Sequence, residues 1–186
     1  MKQYQIILAD PPWQFATYST KGQGRSPERH YPTMDLPSIC ALPVSKLAAP
    51  DCALFLWATF PMLREALAVI EAWGFVYKTA AFCWVKQTRR SAALHWGMGY
   101  WTRSNAELCL LAVRGRPKRR SAGVHQVILS PVEQHSKKPD VVRERIVSLM
   151  GDLPRVELFA RQTASGWDAW GNEVPCSPGL EGWPSC

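Results

Sequence analysis

The sequence has 186 residues, of which 47% are hydrophobic, and it carries a formal net charge of +7. This length suits one domain with its own core, and the apolar content excludes a disordered chain. No apolar run of about 18 residues occurs, which excludes a membrane-spanning helix.

The first third of the chain predicts two buried strands separated by a long polar loop. YQIILA (4–9) is a continuous apolar run, as is typical of a strand buried on both faces. Residues 14–33 are polar and contain Gly and Pro residues, so they predict a loop. A short helix is expected in MDLPSICALPV (34–44), with Asp35 as its N-cap, before a second buried strand in CALFLWAT (52–59).

The middle of the chain predicts a helix followed by two further strands. Apolar residues recur at helical spacing in MLREALAVIEAW (62–73), and Gly74 lies where a helix C-terminus favours glycine. FVYKTAAFCWVK (75–86) and AELCLLAVRG (106–115) predict the third and fourth strands. Between them, residues 87–104 predict a loop rich in Arg, Gly and aromatic residues.

The last third predicts two more strands around a second long helix. RPKRRSAGVH (116–125) predicts a basic loop, and QVILS (126–130) a short fifth strand. PDVVRERIVSLM (139–150) predicts a helix with a proline in its first turn. RVELFA (155–160) predicts the last strand.

Alternating strands and helices predict an α/β fold with a mainly parallel sheet and helices on both faces. We expect one domain over residues 1–174 and a flexible C-terminal tail over 175–186, which is rich in Pro, Gly and Ser. In such sheets ligands bind beyond the carboxyl ends of the strands. DPPW (10–13) follows the first predicted strand and RQTASGW (161–167) follows the last, so both are expected at one crevice.

The cysteines and histidines give no metal-site pattern. The six cysteines form no CxxC pair and no Cys/His ligand spacing, and the four histidines are scattered through predicted loops. The first 13 residues lack the pattern of a signal peptide. We therefore expect a reduced, cytoplasmic protein without a metal site.

Basic residues are concentrated between Lys86 and Arg120. Against a single acid, Glu107, this segment contains Lys86, Arg89, Arg90, Arg103, Arg114, Arg116, Lys118, Arg119 and Arg120. Interleaved with them are aromatic residues on which bases can stack, namely Trp84, Trp96, Tyr100 and Trp101. The segment predicts a nucleic-acid partner, and a solvated basic loop is the alternative.

The DPPW sequence suits the methylation of an amino group. An exocyclic adenine amine is a poor nucleophile, and acceptors for its N–H groups would favour attack on a methyl group held in line. Asp10 offers a carboxylate and Pro11 a carbonyl, while Pro12 restricts the backbone and Trp13 offers a flat face for the base. Taken alone, the same four residues could be no more than a turn that ends a strand.

Further motifs accompany DPPW in a fixed order: ILADPPW, YPTM (31–34), LFLWAT (54–59), WGF (73–75), WVK (84–86), RSNAE (103–107), HSKKPD (135–140), ELFAR (157–161) and GWDAWGNE (166–173). With this set, the chain resembles the MT-A-type family of S-adenosylmethionine-dependent N6-adenine methyltransferases. That family includes the catalytic subunit of the eukaryotic messenger-RNA N6-adenosine methyltransferase and bacterial and phage relatives. The resemblance implies a Rossmann-like methyltransferase fold with a permuted motif order, in which the catalytic DPPW precedes the cofactor motifs.

The resemblance also implies roles for individual residues. Those that would hold the target base and border the cofactor's methionine end are Asp10, Pro11, Pro12 and Trp13. Those implied for binding S-adenosyl-L-methionine are Asp10, Lys138, Glu157, Arg161, Thr163, Asn172 and Glu173. Those expected near the target nucleotide are Tyr31, Lys86, Arg103 and Glu107.

The expected activity is methyl transfer from S-adenosylmethionine to the N6 amine of adenine in DNA. Methylation of RNA adenosine, a catalytically silent nucleic-acid-binding homologue, and a small-molecule or protein methyltransferase are the alternatives. The chain has no room for a separate target-recognition domain. Target choice is therefore expected to come from the 14–33 and 87–125 loops, or from a homo- or hetero-oligomeric partner.

Overall fold

The computed structural model describes residues 2–14, 33–97, 99, 101–133, 137–178, 180 and 183. Its strands are β1 (Tyr4–Ala9), β2 (Ala48–Ala58), β3 (Val76–Gln87), β4 (Ala106–Arg114), β5 (Val127–Pro131), β6 (Arg155–Leu158) and β7 (Asp168–Trp170). Its α-helices are α1 (Leu36–Ala41), α2 (Val44–Leu47), α3 (Leu63–Ala72) and α4 (Val141–Met150), and a 3₁₀ turn (Phe60–Met62) precedes α3. Within the described residues, no helix has the length and apolar character needed to cross a bilayer.

The described strands form one sheet in the order β5-β3-β4-β2-β1-β6-β7. β1 pairs in parallel with β2 and β6, β6 with β7, and β3 with β5. β4 is antiparallel to both of its neighbours, β2 and β3. The expectation of a mainly parallel sheet is confirmed, and β4 is the reversed strand among those described.

Helices cover both faces of this sheet, as expected. One core includes Ile7 and Ala9 of β1 together with buried residues of α1, α2 and α3. The other includes Ile6 and Leu8 of the same strand together with residues of α4. Because side chains alternate along a strand, the continuous apolar run of residues 6–9 in β1 serves both cores.

Local sequence signals account for several helix ends. Asp35 caps α1, since its carboxylate accepts a hydrogen bond from the backbone N–H of Ser38 at 2.8 Å. Gly74 follows α3 with φ at 80°, a backbone conformation that favours glycine. Both assignments from sequence are confirmed, whereas the four-residue α2 and the three-residue β7 had no separate signal.

The described part of the C-terminal tail packs against the sheet. Leu180 and Trp183 are 0% and 2% exposed, and the Trp183 ring lies edge-on to Trp170 of β7 with centroids 5.0 Å apart. The Ser177 N–H donates to the Ala169 carbonyl at 3.1 Å. The flexibility expected for 175–186 stays a prediction, and these contacts argue against it for Leu180 and Trp183.

The cysteines differ among themselves. Cys40, Cys52, Cys83 and Cys109 are free thiols. Burial raises the pKa of Cys52 to about 12, so this thiol is inert at neutral pH. Cys176 is disulfide-bonded, so the expectation of a fully reduced chain does not hold for that residue.

Candidate active site

The site lies at the carboxyl edge of the parallel strands. Asp10 directly follows β1, which lies between β2 and β6 in the sheet. Glu107 reaches the same edge because it lies at the start of β4, which runs in the opposite direction. Lys138 precedes α4. Three distant parts of the sequence therefore meet at this edge.

Four charged side chains form a continuous chain of ion pairs here. The Lys138 ammonium lies 2.8 Å from the Asp10 carboxylate and 3.3 Å from that of Glu107. The other oxygen of Glu107 accepts a hydrogen bond from Lys86 at 2.5 Å. The side chains of Lys138, Glu107 and Lys86 are at most 20% exposed, so bulk water screens these contacts weakly.

The two carboxyl groups respond differently to this environment. Burial raises the pKa of Asp10, and the single ammonium of Lys138 does not fully compensate. Burial alone would also raise the pKa of Glu107, but Lys138 and Lys86 outweigh it and hold that pKa below its ordinary value. The pKa of Lys138 is raised, because the two carboxylates outweigh its own desolvation, so it is a cation at every relevant pH.

Aromatic rings line the ammonium groups. The Lys138 nitrogen lies 5.6 Å from the ring centroid of Trp57, and the Lys86 nitrogen lies 5.0 Å from that of Trp84. The two rings meet edge to face with centroids 6.5 Å apart. Cation–π contacts of this kind favour the charged amines and fix their positions.

Hydrogen bonds fix the turn that follows Asp10. The Pro11 carbonyl accepts the Trp13 N–H at 2.8 Å, and the Pro12 carbonyl accepts the Met34 N–H at 2.9 Å. A carbonyl oxygen has two lone pairs, so Pro11 retains one for a ligand. Trp13 is 5% exposed and its indole N–H donates to the Trp57 carbonyl at 3.2 Å. This burial favours an anchoring role for Trp13 over the predicted wall for a base.

A second charged cluster surrounds Glu157 on the neighbouring strand β6. Arg143 of α4 holds the Glu157 carboxylate through two hydrogen bonds, of 2.7 and 3.1 Å. Asp140 accepts from Arg143 at 2.6 Å and from Gln162 and Lys137 at 2.9 Å each. Burial raises the pKa of Glu157 despite the arginine. A cavity of about 670 Å³ adjoins this cluster and is also lined by Arg143, Asp140 and Gln162.

Tight backbone packing joins the segments after β6 and β7. Phe159, directly after β6, has φ at 61°, which is uncommon for a bulky side chain and stores strain. A side chain at Gly171 would lie 2.2 Å from the Ala160 carbonyl oxygen, so only glycine fits there. Arg161 and Glu173, one from each segment, form an ion pair of 2.8 Å.

Comparison with known proteins agrees with this geometry. The MT-A70 family matches residues 4–173, which is most of the chain. The chain belongs to the MT-A70 family.

Three relatives show the range of this family. The chain is 36% identical to the Type II methyltransferase M.MunI of a Mycoplasma species, with the match covering 94% of this chain and 79% of that protein. It is 27% identical to human METTL3, the N(6)-adenosine-methyltransferase catalytic subunit, over 92% of this chain but 28% of METTL3. An Arabidopsis thaliana MT-A70-like protein is 26% identical, again over 24% of its length. As a member of MT-A70, the chain is a methyltransferase.

The structure brings most of the predicted site residues of this MT-A70 chain to one edge. Those joined by ion pairs are Asp10, Lys138, Glu107 and Lys86, and separately Arg161 and Glu173. Thr163 and Asn172 are exposed in the segments after β6 and β7. Residues 15–32, which include Tyr31 and nearly all of the predicted 14–33 loop, lie outside the described residues. The roles assigned to all these side chains stay predictions.

Sequence reasoning missed the partners of Glu157. The sequence pattern indicates only that Asp140 and Arg143 belong to a helix and that Gln162 follows the last strand. Their signal is visible in retrospect: Asp140 and Arg143 are three positions apart, which places them on one helix face. Their contact with Glu157 depends on the packing of α4 on β6, which no local pattern encodes.

The structure divides the basic segment between Lys86 and Arg120 into two groups. Lys86 and Arg103 lie near the end of β3 and the start of β4, at the edge that carries Asp10, and the Arg103 guanidinium lies 5.7 Å from the exposed Trp96 ring. Arg114 is opposite Cys52, near the start of β2, so it lies at the other edge. The basic residues are therefore contiguous in the sequence but lie at two edges, because β4 carries the chain across the sheet.

Proposed function

We propose that this chain transfers a methyl group from S-adenosylmethionine to the N6 amine of adenine in DNA. The observation that carries the proposal is the Asp10 carboxylate in the DPPW turn, held at 2.8 Å by Lys138 at the carboxyl edge of the sheet. A partly buried carboxylate in a fixed position can accept a hydrogen bond from an amine and orient its lone pair.

Asp10 and Pro11 supply the chemistry toward the base. The Asp10 carboxylate accepts one N–H of the adenine amine, and the free lone pair of the Pro11 carbonyl accepts the other. Electron density is thereby returned to the nitrogen, which carries positive charge once it is methylated, and a carboxylate next to it favours that charge. The amine proton is then released, with Asp10 as the nearest acceptor.

The residues at this edge fit S-adenosylmethionine. Bound there, the cofactor would supply an electrophilic methyl group on a positively charged sulfur. Lys138 provides an ammonium for its carboxylate, and Asp10 provides negative charge near the sulfonium. Glu157 retains acceptor capacity for ribose hydroxyls, because a carboxylate has about four lone-pair positions and Arg143 uses two of them. Arg161, Thr163, Asn172 and Glu173 complete the proposed set.

DNA is favoured over RNA by the relatives' lengths. The chain matches 79% of the length of the Mycoplasma Type II methyltransferase but only 28% of METTL3. The match to most of a bacterial Type II methyltransferase, against about a quarter of METTL3, supports a substrate of the bacterial kind. RNA adenosine is the second candidate because METTL3 and its plant relatives are N(6)-adenosine-methyltransferases. A cytoplasmic location and an oligomer for target recognition stay predictions.

The test is transfer of a tritiated methyl group to single-stranded DNA, duplex DNA and RNA of one sequence. We expect wild-type protein to label DNA and Asp10→Ala and Asp10→Asn to label none of the three. Asp152→Asn is a matched control, because Asp152 is an exposed carboxylate paired with Arg155 away from the site. Equal labelling by wild type and Asp10→Asn would overturn the mechanism, and labelling of RNA alone would replace DNA as the substrate.

A further inference from the structure

A second basic surface lies at the edge of the sheet opposite Asp10. We call it the far-edge loop, and it comprises residues 114–120, RGRPKRR, which begin with the last residue of β4. Arg114 donates to the Ser45 carbonyl at 2.6 Å, and the Arg116 N–H donates to the Asp51 carboxylate at 2.7 Å. Ser45 and Asp51 lie around the start of β2, whereas Asp10 follows the end of β1, which is parallel to β2.

The backbone of the far-edge loop is fixed at both ends. Gly115 has φ at 65°, and a side chain there would lie 2.2 Å from the Pro50 carbonyl oxygen. At the other end, the Arg120 N–H donates to the Leu149 carbonyl at 2.7 Å, in the last turn of α4. A loop held in this way presents its side chains without a large ordering cost when a ligand binds.

The side chains of this loop are open to a ligand. Its exposed cations are Arg116, Lys118, Arg119 and Arg120. None of the four forms an ion pair within the described part of the chain, although Lys86, Lys138, Arg143 and Arg161 all do. Of the carboxylates at this edge, Asp51 accepts a backbone N–H of the loop and Asp152 is paired with Arg155.

A role in stability alone explains only part of this surface. Arg120 lies near the C-terminal end of α4, where a cation favours the helix dipole. That explanation does not extend to Arg116, Lys118 and Arg119, which form no ion pair within the described part of the chain. Three exposed cations close together on a fixed loop repel one another unless an anion is bound.

The far-edge loop is too distant to contact the nucleotides at the active site. Glu107 and Arg114 are seven positions apart along β4, which at a rise of about 3.4 Å per residue places them about 24 Å apart. Along a duplex, this distance corresponds to roughly 7 base pairs at about 3.4 Å each. A polymer reaches both edges only if it extends well beyond the target base.

We propose that the far-edge loop is a second nucleic-acid-binding surface, which contacts backbone phosphates remote from the target adenine. The proposal rests on the proposed function in one respect, namely that the substrate is a nucleic-acid polymer. The surface reads no sequence, since lysine and arginine contacts to phosphate carry none. Its effect is to hold the enzyme on a long polymer while the active site samples bases.

The test compares wild type with Arg116→Gln/Lys118→Gln/Arg119→Gln by fluorescence anisotropy. The short duplex extends 3 base pairs on each side of the adenine, on the order of half of the roughly 7 base pairs needed to reach the far-edge loop. The long duplex extends about 20 base pairs on each side. On the long duplex we expect the triple variant to bind at least about tenfold more weakly, with a salt slope lower by roughly 2 to 3, since each lost phosphate contact contributes about 0.9. On the short duplex, binding and methyl transfer are unchanged.

Arg119→Gln and Arg64→Gln form the matched single-charge pair, because Arg64 is an exposed cation of α3 outside this surface. We expect only Arg119→Gln to lower the salt slope, and melting temperatures to agree with wild type. If the triple variant and wild type bound the long duplex equally well, and also bound a long RNA equally well, the proposal would be overturned. An acidic protein would then be the remaining candidate for this surface. If wild type bound the long duplex through the far-edge loop but transferred no methyl group, the second binding surface would be supported and the proposed function overturned.

Discussion

The Lys138 ammonium lies 2.8 Å from the Asp10 carboxylate, although 128 positions separate the two residues in the sequence. The same ammonium also faces Glu107, so one cation serves two carboxylates. A ligand carboxylate that binds Lys138 therefore competes with Asp10 for it. Cofactor binding would weaken the hold of Lys138 on Asp10 and leave that carboxylate available to the base.

Replacing Lys138 should affect both stability and cofactor binding. Lys138→Met removes the shared cation and leaves two carboxylates facing each other in a partly buried site. We expect a loss of about 2 to 4 kcal/mol in the free energy of unfolding, measured with urea, because removing one member of a buried ion pair leaves the other charge uncompensated. Calorimetry should show at least about tenfold weaker binding of S-adenosylmethionine.

Lys137→Met is the control for this change. Lys137 is the neighbouring lysine, it pairs with the exposed Glu133 and Asp140, and such surface pairs contribute about 0 to 1 kcal/mol. If Lys138→Met and Lys137→Met were equally stable and bound the cofactor equally well, the shared-cation arrangement would have no energetic role.

Methyl transfer should depend on the ionisation of Asp10. Burial raises the pKa of this carboxyl above its ordinary 3.8. The ionised form is the stronger acceptor for the amine N–H, and it is the form that can take up the released proton. Activity should therefore fall as the pH decreases through this raised pKa and recover as the pH rises. Single-turnover rates from about pH 4 to about pH 8 measure it. Circular dichroism at each pH separates the loss of activity from unfolding, and a flat profile in folded protein would rule out Asp10 as the titrating group.

The Arg143–Glu157 pair should show strong coupling in stability. Arg143→Met leaves a largely buried carboxylate without its two hydrogen bonds, and we expect a loss of about 3 kcal/mol. Adding Glu157→Met should restore much of that loss, because no buried charge then remains without a partner. Urea unfolding of the two single variants and the double variant gives the coupling energy. Additive effects would show that the pair is energetically independent.

The tail residue Trp183 should contribute to the stability of the whole domain. Its side chain is 2% exposed and packs on Trp170. Trp183→Ala should cost about 3 to 5 kcal/mol in the free energy of unfolding, as for other large side chains removed from a core. A loss below about 1 kcal/mol would instead support the flexible tail expected from composition.

The sequence predicts elements well where the signal is local and long. β1 has a continuous apolar run, α3 has helical spacing with Gly74 after it, and Asp35 has the chemistry of an N-cap. α2 has four residues and β7 has three, which is too short for either periodicity to be recognised.

The site was predicted as a set of residues rather than as an arrangement. Motif order indicated that Asp10 and Lys138 belong to one site, but not that Lys138 bridges Asp10 and Glu107. The direction of β4 depends on its pairing with β2 and β3, and no residue of β4 records it. For that reason the sequence does not show that the basic segment is divided between two edges. Nor does it show that Trp13, which is expected to offer a face to the base, packs in the core.

The contact between Ser177 and β7 has a consequence for solubility. β7 is the last strand of the sheet, and an open outer strand offers unpaired N–H and C=O groups to strands of other molecules. Ser177 pairs both backbone polar groups of Ala169 on that outer strand. Its hydroxyl accepts a hydrogen bond from the Ala169 N–H, and its own N–H donates to the Ala169 carbonyl. A chain shortened before Ser177 would lose this cover and become prone to self-association through β7.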